Sequence, residues 1–239
     1  MKIAPTAIAG VDLIGSGEAS FAKSVEQLYG RAPDAILLPA LPFSVVARNR
    51  TPRAIALLGV RFDMLNPQGK PYSVVHYADT LRHPEKAALQ PGASRFVCAE
   101  PLYTDLVLRR GAEVNARGPM NLQALRKALQ IRASIDCVAW DNGEFAGPDS
   151  LGAFARFATE RDAELALVAE VLAARDEASA VIARAIDSAP ALTRDRALLA
   201  RRFLAKRLHE VLAEDGIAAL QEAARAHRPR VALWRSAPE

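Results

Sequence analysis

The chain has 239 residues, of which 51% are hydrophobic and 24% charged, and its formal net charge at pH 7 is +4. This composition can bury an ordinary core and excludes a disordered chain. The excess of positive charge comes mainly from Arg in an Ala-rich chain, so the charge alone does not indicate a nucleic-acid partner.

The N-terminal stretch "MKIAPTAIAGVDLIGSG" contains a moderately apolar run that Pro5 and Asp12 interrupt. No part of the sequence reaches the apolar length of a membrane-spanning helix. We therefore expect a soluble, bacterial-type cytoplasmic chain, unless the true start lies upstream and adds a signal peptide. Residues 1–34 are predicted to form a loop and a helix through Ala22 to Tyr29, capped by Ser or Glu of "GSGEAS".

Between residues 35 and 147, apolar runs alternate with turn residues, which is typical of strands. The clearest strand is "AIALLGVRFDML", where apolar residues share one parity while Arg61 and Asp63 have the other. Further strands are predicted for "YSVVHYADTL", "RFVCA", "TDLVLRR" and "IRASIDCVAW", with one short helix that begins at Asn121. Strands joined mainly by turns favour an antiparallel sandwich.

The strand pattern, with its "NRTPRAI" turn and "PGAS" break, resembles immunoglobulin-like and fibronectin-like sandwiches. Because that architecture hosts many functions, the resemblance transfers no functional residues to this chain. The predicted fold class is α+β, with an N-terminal antiparallel immunoglobulin-like β-sandwich at residues 35–147 and a C-terminal α-helical region. The helical region is expected to cover residues 148–228, followed by a tail at 229–239.

In the C-terminal region the apolar residues recur at helical intervals. A helix over residues 151–186 would be about 50 Å long at the standard rise, so it either breaks near "ARDEAS" or packs against a partner. Another amphipathic helix is predicted to end at Gly216, and a shorter one precedes Pro229. The apolar surface around Leu165 and Val168 predicts a homodimer through the helical region.

The loop "AWDNGEFAGPDS" joins the two regions and concentrates acidic residues, Gly and Pro. Asn142-Gly143 is a turn signal, and Gly147-Pro148-Asp149-Ser150 is expected to stop the strand and cap the next helix. The acidic spacing lacks the DxDxDG series of a calcium loop, so we interpret this segment as a turn and a cap.

The candidate metal or acid–base residues lie in "HYADTLRHPE": His76, Asp79, His83 and Glu85. Imidazoles and carboxylates this close in sequence could converge on one ion. On a continuous strand, however, His76 has opposite parity to both Asp79 and His83, so the side chains would point to different faces. A solvated sheet edge is the alternative interpretation.

The two cysteines, Cys98 and Cys137, lie far apart in apolar surroundings and form no CxxC pattern. We expect reduced, buried thiols; a disulfide between facing strands is the alternative. No sequence motif for a phosphate-binding loop, a nucleophilic serine or zinc is present, and no cofactor is expected.

The Arg-rich helix at 194–209 is a candidate nucleic-acid surface, through Arg201, Arg202 and Lys206. Few aromatic or amide side chains accompany these cations, so nucleic acid is not the expected partner. Instead, the cations could pair with acidic residues of a neighbouring helix, namely Glu160, Asp162, Glu164 and Glu170.

These patterns favour a non-catalytic binding or scaffold module over an enzyme, because no nucleophile, base and orienting group can be assembled from sequence neighbours. Two alternatives stay open. One is a metal-dependent enzyme that uses His76, Asp79, His83 and Glu85; the other is nucleic-acid binding through the helix at 194–209.

Overall fold

The computed structural model describes residues 1–5, 8–108, 117–188 and 193–235. The chain divides into two compact units, Met1–Leu151 with Arg235, and Gly152–Trp234. The first unit mixes strands and helices and the second contains helices, so the fold class is α+β. The finer division of the chain into regions that end at residues 34, 147 and 228 remains a prediction. Within the described ranges, no helix is long and apolar enough to cross a membrane.

The first unit contains strands with helices between them. Its strands, in chain order, are β1 (Lys2–Ile3), β2 (Val11–Gly15), β3 (Ser44–Asn49), β4 (Ile55–Leu65), β5 (Pro71–Asp79), β6 (Ser94–Cys98), β7 (Gln130–Trp140) and β8 (Phe145–Ala146). Its helices are α1 (Ala19–Tyr29), α2 (Pro101–Leu108) and α3 (Arg117–Arg126), with short 3-10 helices at Leu38–Phe43 and Pro84–Lys86.

The strands form two sheets. The larger sheet has the order β1-β7-β4-β5, with β8 also paired to β7, and the smaller has the order β2-β3-β6. All described pairs are antiparallel except β1 with β7, which is parallel. The immunoglobulin-like sandwich is not confirmed, because α1, α2 and α3 lie between the strands in the chain and one edge pair is parallel.

The alternation predicted for β4 is present in its second half. Val60, Phe62 and Met64 are buried, whereas Arg61 and Asp63 on the opposite face remain partly accessible. The buried side chains join one core with residues of the smaller sheet and of α1 and α2. This core positions the pocket described below.

The strand predicted for "TDLVLRR" is wrong, because Pro101–Leu108 forms the helix α2; residues 109 and 110 lie outside the described residues. Proline suits the first turn of a helix, where its missing N–H is not needed. Tyr103, Leu106 and Val107 are buried at the i, i+3, i+4 spacing of one helical face. The short helix predicted from Asn121 exists, but it begins four residues earlier, at Arg117.

The second unit contains α4 (Ala153–Ala174), a 3-10 turn at Arg175–Glu177, α5 (Ala178–Asp187) and α6 (Arg196–Arg225). The predicted long helix therefore breaks at "ARDEAS", the first of its two alternatives. The three helices share a core that includes Leu167, Val171, Ile182, Leu204, Leu208 and Leu220. Gly216 has φ 81° and ψ −174°, so it interrupts α6 where a helix end was predicted, and the helix then resumes.

The backbone at Gly147 lies against β7. A Cβ atom at this position would approach the Asp136 carbonyl oxygen to 2.5 Å and the Cys137 Cα to 2.8 Å, and Gly147 has φ +116°. Both the space and the conformation therefore require glycine. The segment that follows, Pro148 to Ser150, is held against the strand by the hydrogen bond that the Asp149 N–H donates to the Asp136 carbonyl oxygen at 3.0 Å.

Replacing Gly147 with Ala should lower the free energy of unfolding by about 2–3 kcal/mol, because the methyl group meets backbone atoms and the dihedral angle strains an L-residue. Gly69→Ala is the matched control, since Gly69 also has positive φ (+74°) but nothing within 4 Å of its Cβ position. Urea unfolding of both variants should give the smaller loss for Gly69→Ala. Equal losses would show that packing against β7 is not responsible.

Candidate functional site

A pocket of about 130 Å³ opens in the first unit between β4, β5, β6 and α2. Its apolar wall includes Leu58, Val60 and Val97. Its polar wall is formed by His76, Tyr77, Arg95, Thr104 and Asp105. The pocket thus brings together polar side chains from a strand of each sheet and from one helix, which lie far apart in the sequence.

His76 lies on β5, and its ring makes an edge contact with Phe62, with the centroids 5.6 Å apart. Burial lowers the pKa of the His76 imidazole below its usual value, and a hydrogen bond with the backbone of Ala99 acts in the opposite direction. The imidazole is therefore neutral at pH 7, with one ring nitrogen able to donate and the other able to accept.

Arg95 provides the positive charge of the pocket. Its Nη1 donates a hydrogen bond to the Ala88 carbonyl oxygen at 3.2 Å. Burial lowers the pKa of the Arg95 guanidinium, while the Asp105 carboxylate raises it. A guanidinium stays charged at neutral pH even after such a shift. The pocket therefore presents one cation and one anion beside a neutral imidazole.

Cys98 lies next to this pocket but is unsuited to nucleophilic chemistry. Burial raises the pKa of its thiol to about 11, so the thiolate is scarce at neutral pH. The Cys98 backbone N–H donates to Thr104 Oγ1 at 2.8 Å. Neither cysteine forms a disulfide bond and both are buried, as expected from the sequence.

The other members of the predicted His/Asp/Glu set lie outside the pocket. Asp79 Oδ1 accepts a hydrogen bond from the Leu81 N–H at the end of β5. His83 Nδ1 is 3.3 Å from Glu85 Oε1, and both side chains are half exposed. Among the described residues, this set is not a group whose ligand atoms lie close enough to share an ion. Its metal-binding role stays a prediction.

A different set of potential ligands does come together. One carboxylate oxygen each of Asp136 and Asp149 and the Cys137 Sγ all lie within 4.8 Å of one another. Asp136 and Cys137 belong to β7, and Asp149 belongs to the loop "AWDNGEFAGPDS". The turn predicted in that loop is present, since the Gly143 N–H donates to the Trp140 carbonyl oxygen at 2.9 Å.

The cap predicted at Asp149-Ser150 is wrong. The N-cap of α4 is Gly152, which offers no side chain. Instead, Ser150 Oγ donates to Asp136 Oδ1, and Asp149 Oδ2 accepts from the Arg235 guanidinium at 2.9 Å. The Ser150 side chain is therefore engaged at β7 and the Asp149 side chain with Arg235.

In the second unit, Arg201 of the Arg-rich helix pairs with Glu170, one of the four acidic partners named in the alternative interpretation, whereas Glu160 and Glu164 lie beside residues outside that helix. Arg201 makes a bidentate contact with Glu170, at 2.9 and 2.6 Å. Glu160 pairs with Arg230 at 3.1 Å, and the fully buried Glu164 lies 3.7 Å from His227 Nε2. Nucleic-acid binding through Arg201, Arg202 and Lys206 stays a prediction.

Comparison of the chain with protein-family models, with curated proteins and with solved structures gave no significant match. The function must therefore be argued from the sites themselves. The sequence pattern indicated His76 but neither Arg95 nor Asp105. Arg95 lies in the predicted strand "RFVCA", and Asp105 lies in α2, which was predicted as a strand, so the sequence did not place these two side chains together. It also missed the grouping of Asp136 with Cys137, since strict alternation places neighbours on opposite faces.

Protonation of His76 should couple stability to pH. The pKa of His76 is lowered from 6.5 on folding, so the unfolded state binds the proton first as the pH falls. The free energy of unfolding should therefore decrease as the pH is lowered through about 6.5, and it should be unaffected above that value. His76→Gln should flatten this dependence between pH 7.5 and pH 5. A His76→Gln variant that retains the pH dependence of the unmutated chain would contradict this prediction.

Proposed function

We propose that the first unit is a non-catalytic binding module for a small zwitterion, a molecule that carries one carboxylate and one ammonium group. A free amino acid with a small side chain is the type of ligand meant. The observation that carries this proposal is the presence of Arg95, Asp105 and neutral His76 on the walls of one pocket.

The charges support a zwitterion over a simple anion. The Arg95 guanidinium is a fork of donors that matches a carboxylate, and the Asp105 carboxylate can accept from an ammonium group. A purely anionic ligand would bind Arg95 but would face Asp105 at close range. Because one ring nitrogen of neutral His76 is hydrogen-bonded to the backbone of Ala99, its other ring nitrogen can accept from the ammonium group of the ligand. Leu58, Val60 and Val97 provide apolar contact.

The volume limits the ligand. The pocket of about 130 Å³ is slightly smaller than an engineered cavity of about 150 Å³ that holds benzene. A molecule of that size has only a handful of non-hydrogen atoms. The volume of the pocket therefore favours a small ligand.

The absence of catalysis is proposed from the chemistry of the lining residues. The nearby Cys98 thiol has its pKa raised to about 11 and is buried. Thr104 Oγ1 accepts a hydrogen bond from a backbone N–H, an arrangement that does not activate a nucleophile. Among the lining residues, no nucleophile is paired with a base by the contacts described above.

Removal of the Arg95 charge should weaken ligand binding. We expect glycine or alanine to perturb the amide resonances of β5, β6 and α2 in the unmutated chain, with Arg95→Gln weakening binding at least about 10-fold, the loss expected for a charge-assisted hydrogen bond. Arg48→Gln is the control, because Arg48 on neighbouring β3 contacts Ser94 but does not line the pocket.

A comparison of glycine with acetate and methylammonium distinguishes a zwitterion site from an anion site. Acetate and methylammonium, each with one charge, should bind more weakly than glycine if Arg95 and Asp105 act together. Equal binding of acetate and glycine would reduce the proposal to an anion site. The absence of any binding by these probes at millimolar concentration would contradict the zwitterion proposal.

The other interpretations that follow from the sequence remain as secondary proposals. A metal-dependent enzyme using His76, Asp79, His83 and Glu85 predicts stoichiometric metal in the purified protein. An immunoglobulin-like sandwich is supported by the mainly antiparallel sheets. A cytoplasmic location is supported by the two buried cysteines, which form no disulfide bond and so suit a reducing compartment.

We also propose self-association through the helical unit. Val168 is partly buried against the core of that unit and Leu165 is also partly buried, so neither is a fully exposed apolar side chain. Phe203 on α6 is 64% exposed and Ile217 is 38% exposed. An exposed phenylalanine on a helix is a common anchor of a helix–helix interface.

Light scattering coupled to size exclusion should give a homodimer at micromolar concentration. Phe203→Ser should shift the protein to a monomer with unchanged helix content, because the residue is exposed and its loss leaves the core intact. Leu108→Ser, at an apolar side chain 44% exposed in the first unit, should leave the mass of the dimer unchanged. A monomeric unmutated protein would contradict self-association.

A further inference from the structure

A β-bulge in β7 brings two neighbouring side chains into the same group. Gly59 pairs with Cys137, and the next residue of β4, Val60, pairs with Ile135, so Asp136 has no partner across the strand pair. A bulge breaks strict alternation and can re-aim a side chain to the face of its neighbour. This explains how Asp136 and Cys137 both contribute to one cluster with Asp149.

Asp136 is 1% exposed, and its two carboxylate oxygens differ in their surroundings. Oδ1 accepts from the Ser150 backbone N–H at 3.1 Å and from Ser150 Oγ at 2.5 Å. Oδ2 is also buried, yet no described residue donates a hydrogen bond to it. A buried carboxylate oxygen without a donor or a cation is costly, because it has lost its hydration.

The surroundings of the cluster place further ligands beside Asp136. The Asp149 side chain is 6% exposed, and Cys137 is buried. Asp149 is held in place by Arg235 and has φ 55°, an uncommon conformation for a residue other than glycine. Asp136 also lines a surface cleft of about 200 Å³ with Pro148 and Ser134, so an ion can reach this part of the unit from solvent.

We propose that Asp136, Cys137 and Asp149 form a binding site for one zinc ion or a transition metal of similar chemistry. Two carboxylates and a thiolate suit zinc, whereas calcium and magnesium take oxygen ligands and do not favour sulfur. The ligand atoms lie within 4.8 Å of one another, and small side-chain rotations would bring them to metal–ligand distances of ~2.0–2.3 Å.

Binding of the metal ion to Cys137 releases one proton. A Cys137 thiol must lose its proton to solvent when the metal–sulfur bond forms, while ionised carboxylates bind without such a loss. The metal would join the bulge of β7 to the loop that contains Asp149. The site is separate from the pocket around Arg95, so failure of either proposal leaves the other intact.

The test uses the untagged full-length chain after treatment with a chelator, titrated with cobalt(II) chloride as a spectroscopic substitute for zinc. We expect one Co²⁺ per chain, with a thiolate-to-cobalt charge-transfer band of the intensity of one sulfur ligand. Zinc chloride should bleach the band by displacement. Failure of the folded protein to bind Co²⁺ or Zn²⁺, or uptake of Co²⁺ without this band, would overturn the proposal.

Substitutions identify the ligands. Cys98→Ala should retain the band, because Cys137 is then the remaining thiol, whereas Cys137→Ala should lose it. Asp136→Asn and Asp149→Asn should each weaken binding more than about 100-fold, since even residues behind the ligands contribute 10–100-fold. Asp141→Asn, at an exposed acidic residue of the same hairpin, should bind as the unmutated chain does.

Circular dichroism should be recorded for every variant, because Asp136 and both cysteines are buried. If a variant does not fold, the band and stoichiometry of the unmutated chain still decide whether one thiolate binds the metal. A band that forms with unchanged Co²⁺ affinity in folded Asp136→Asn and Asp149→Asn would refute this ligand set.

Discussion

The antiparallel pairing of β4 with β7 determines the organisation of the first unit, because these strands form the centre of the larger sheet and β1, β5 and β8 all pair with one of them. A shift of one residue would exchange the buried and exposed faces of a strand. The pairing contains irregularities at Ile55/Leu57 and at Gly59/Val60. Between them both strands are buried on both faces, so register, core packing and the placement of Asp136 depend on the same short segment.

Buried polar groups restrict the packing of each unit in a different way. In the first unit, Asn49 is fully buried and its amide donates to the Arg53 and Leu89 carbonyl oxygens, which joins two loops. In the second, Arg230 lies within 3.1 Å of Glu160 and 3.8 Å of Glu164. Burial of charge costs desolvation energy, so such pairs add little stability. Their effect is to restrict helix packing to arrangements that keep the charged partners together.

Patterns that reflect local geometry were predictable. The alternation in β4, the Asn142-Gly143 turn and the break at "ARDEAS" follow from side-chain period and backbone preferences, and the structure contains all three. The α2 helix was missed because the seven-residue stretch "TDLVLRR", which overlaps it, is short enough to fit both the strand period and the helix period. The sites were missed for another reason: Arg95 meets Asp105 through tertiary packing, and the bulge at Asp136 depends on the partner strand, which no single segment reveals.

The interruption of α6 at Gly216 changes the direction in which the second half of that helix presents its apolar side chains. In a continuous helix, Leu220 would point about 160° away from Leu204, because each residue adds about 100°. Both residues nevertheless belong to one core. The extended residue therefore resets the angular phase of the helix, and its φ and ψ values are accessible essentially to glycine alone. Gly216 thus allows apolar residues that a continuous helix would place on nearly opposite faces to pack into the same core.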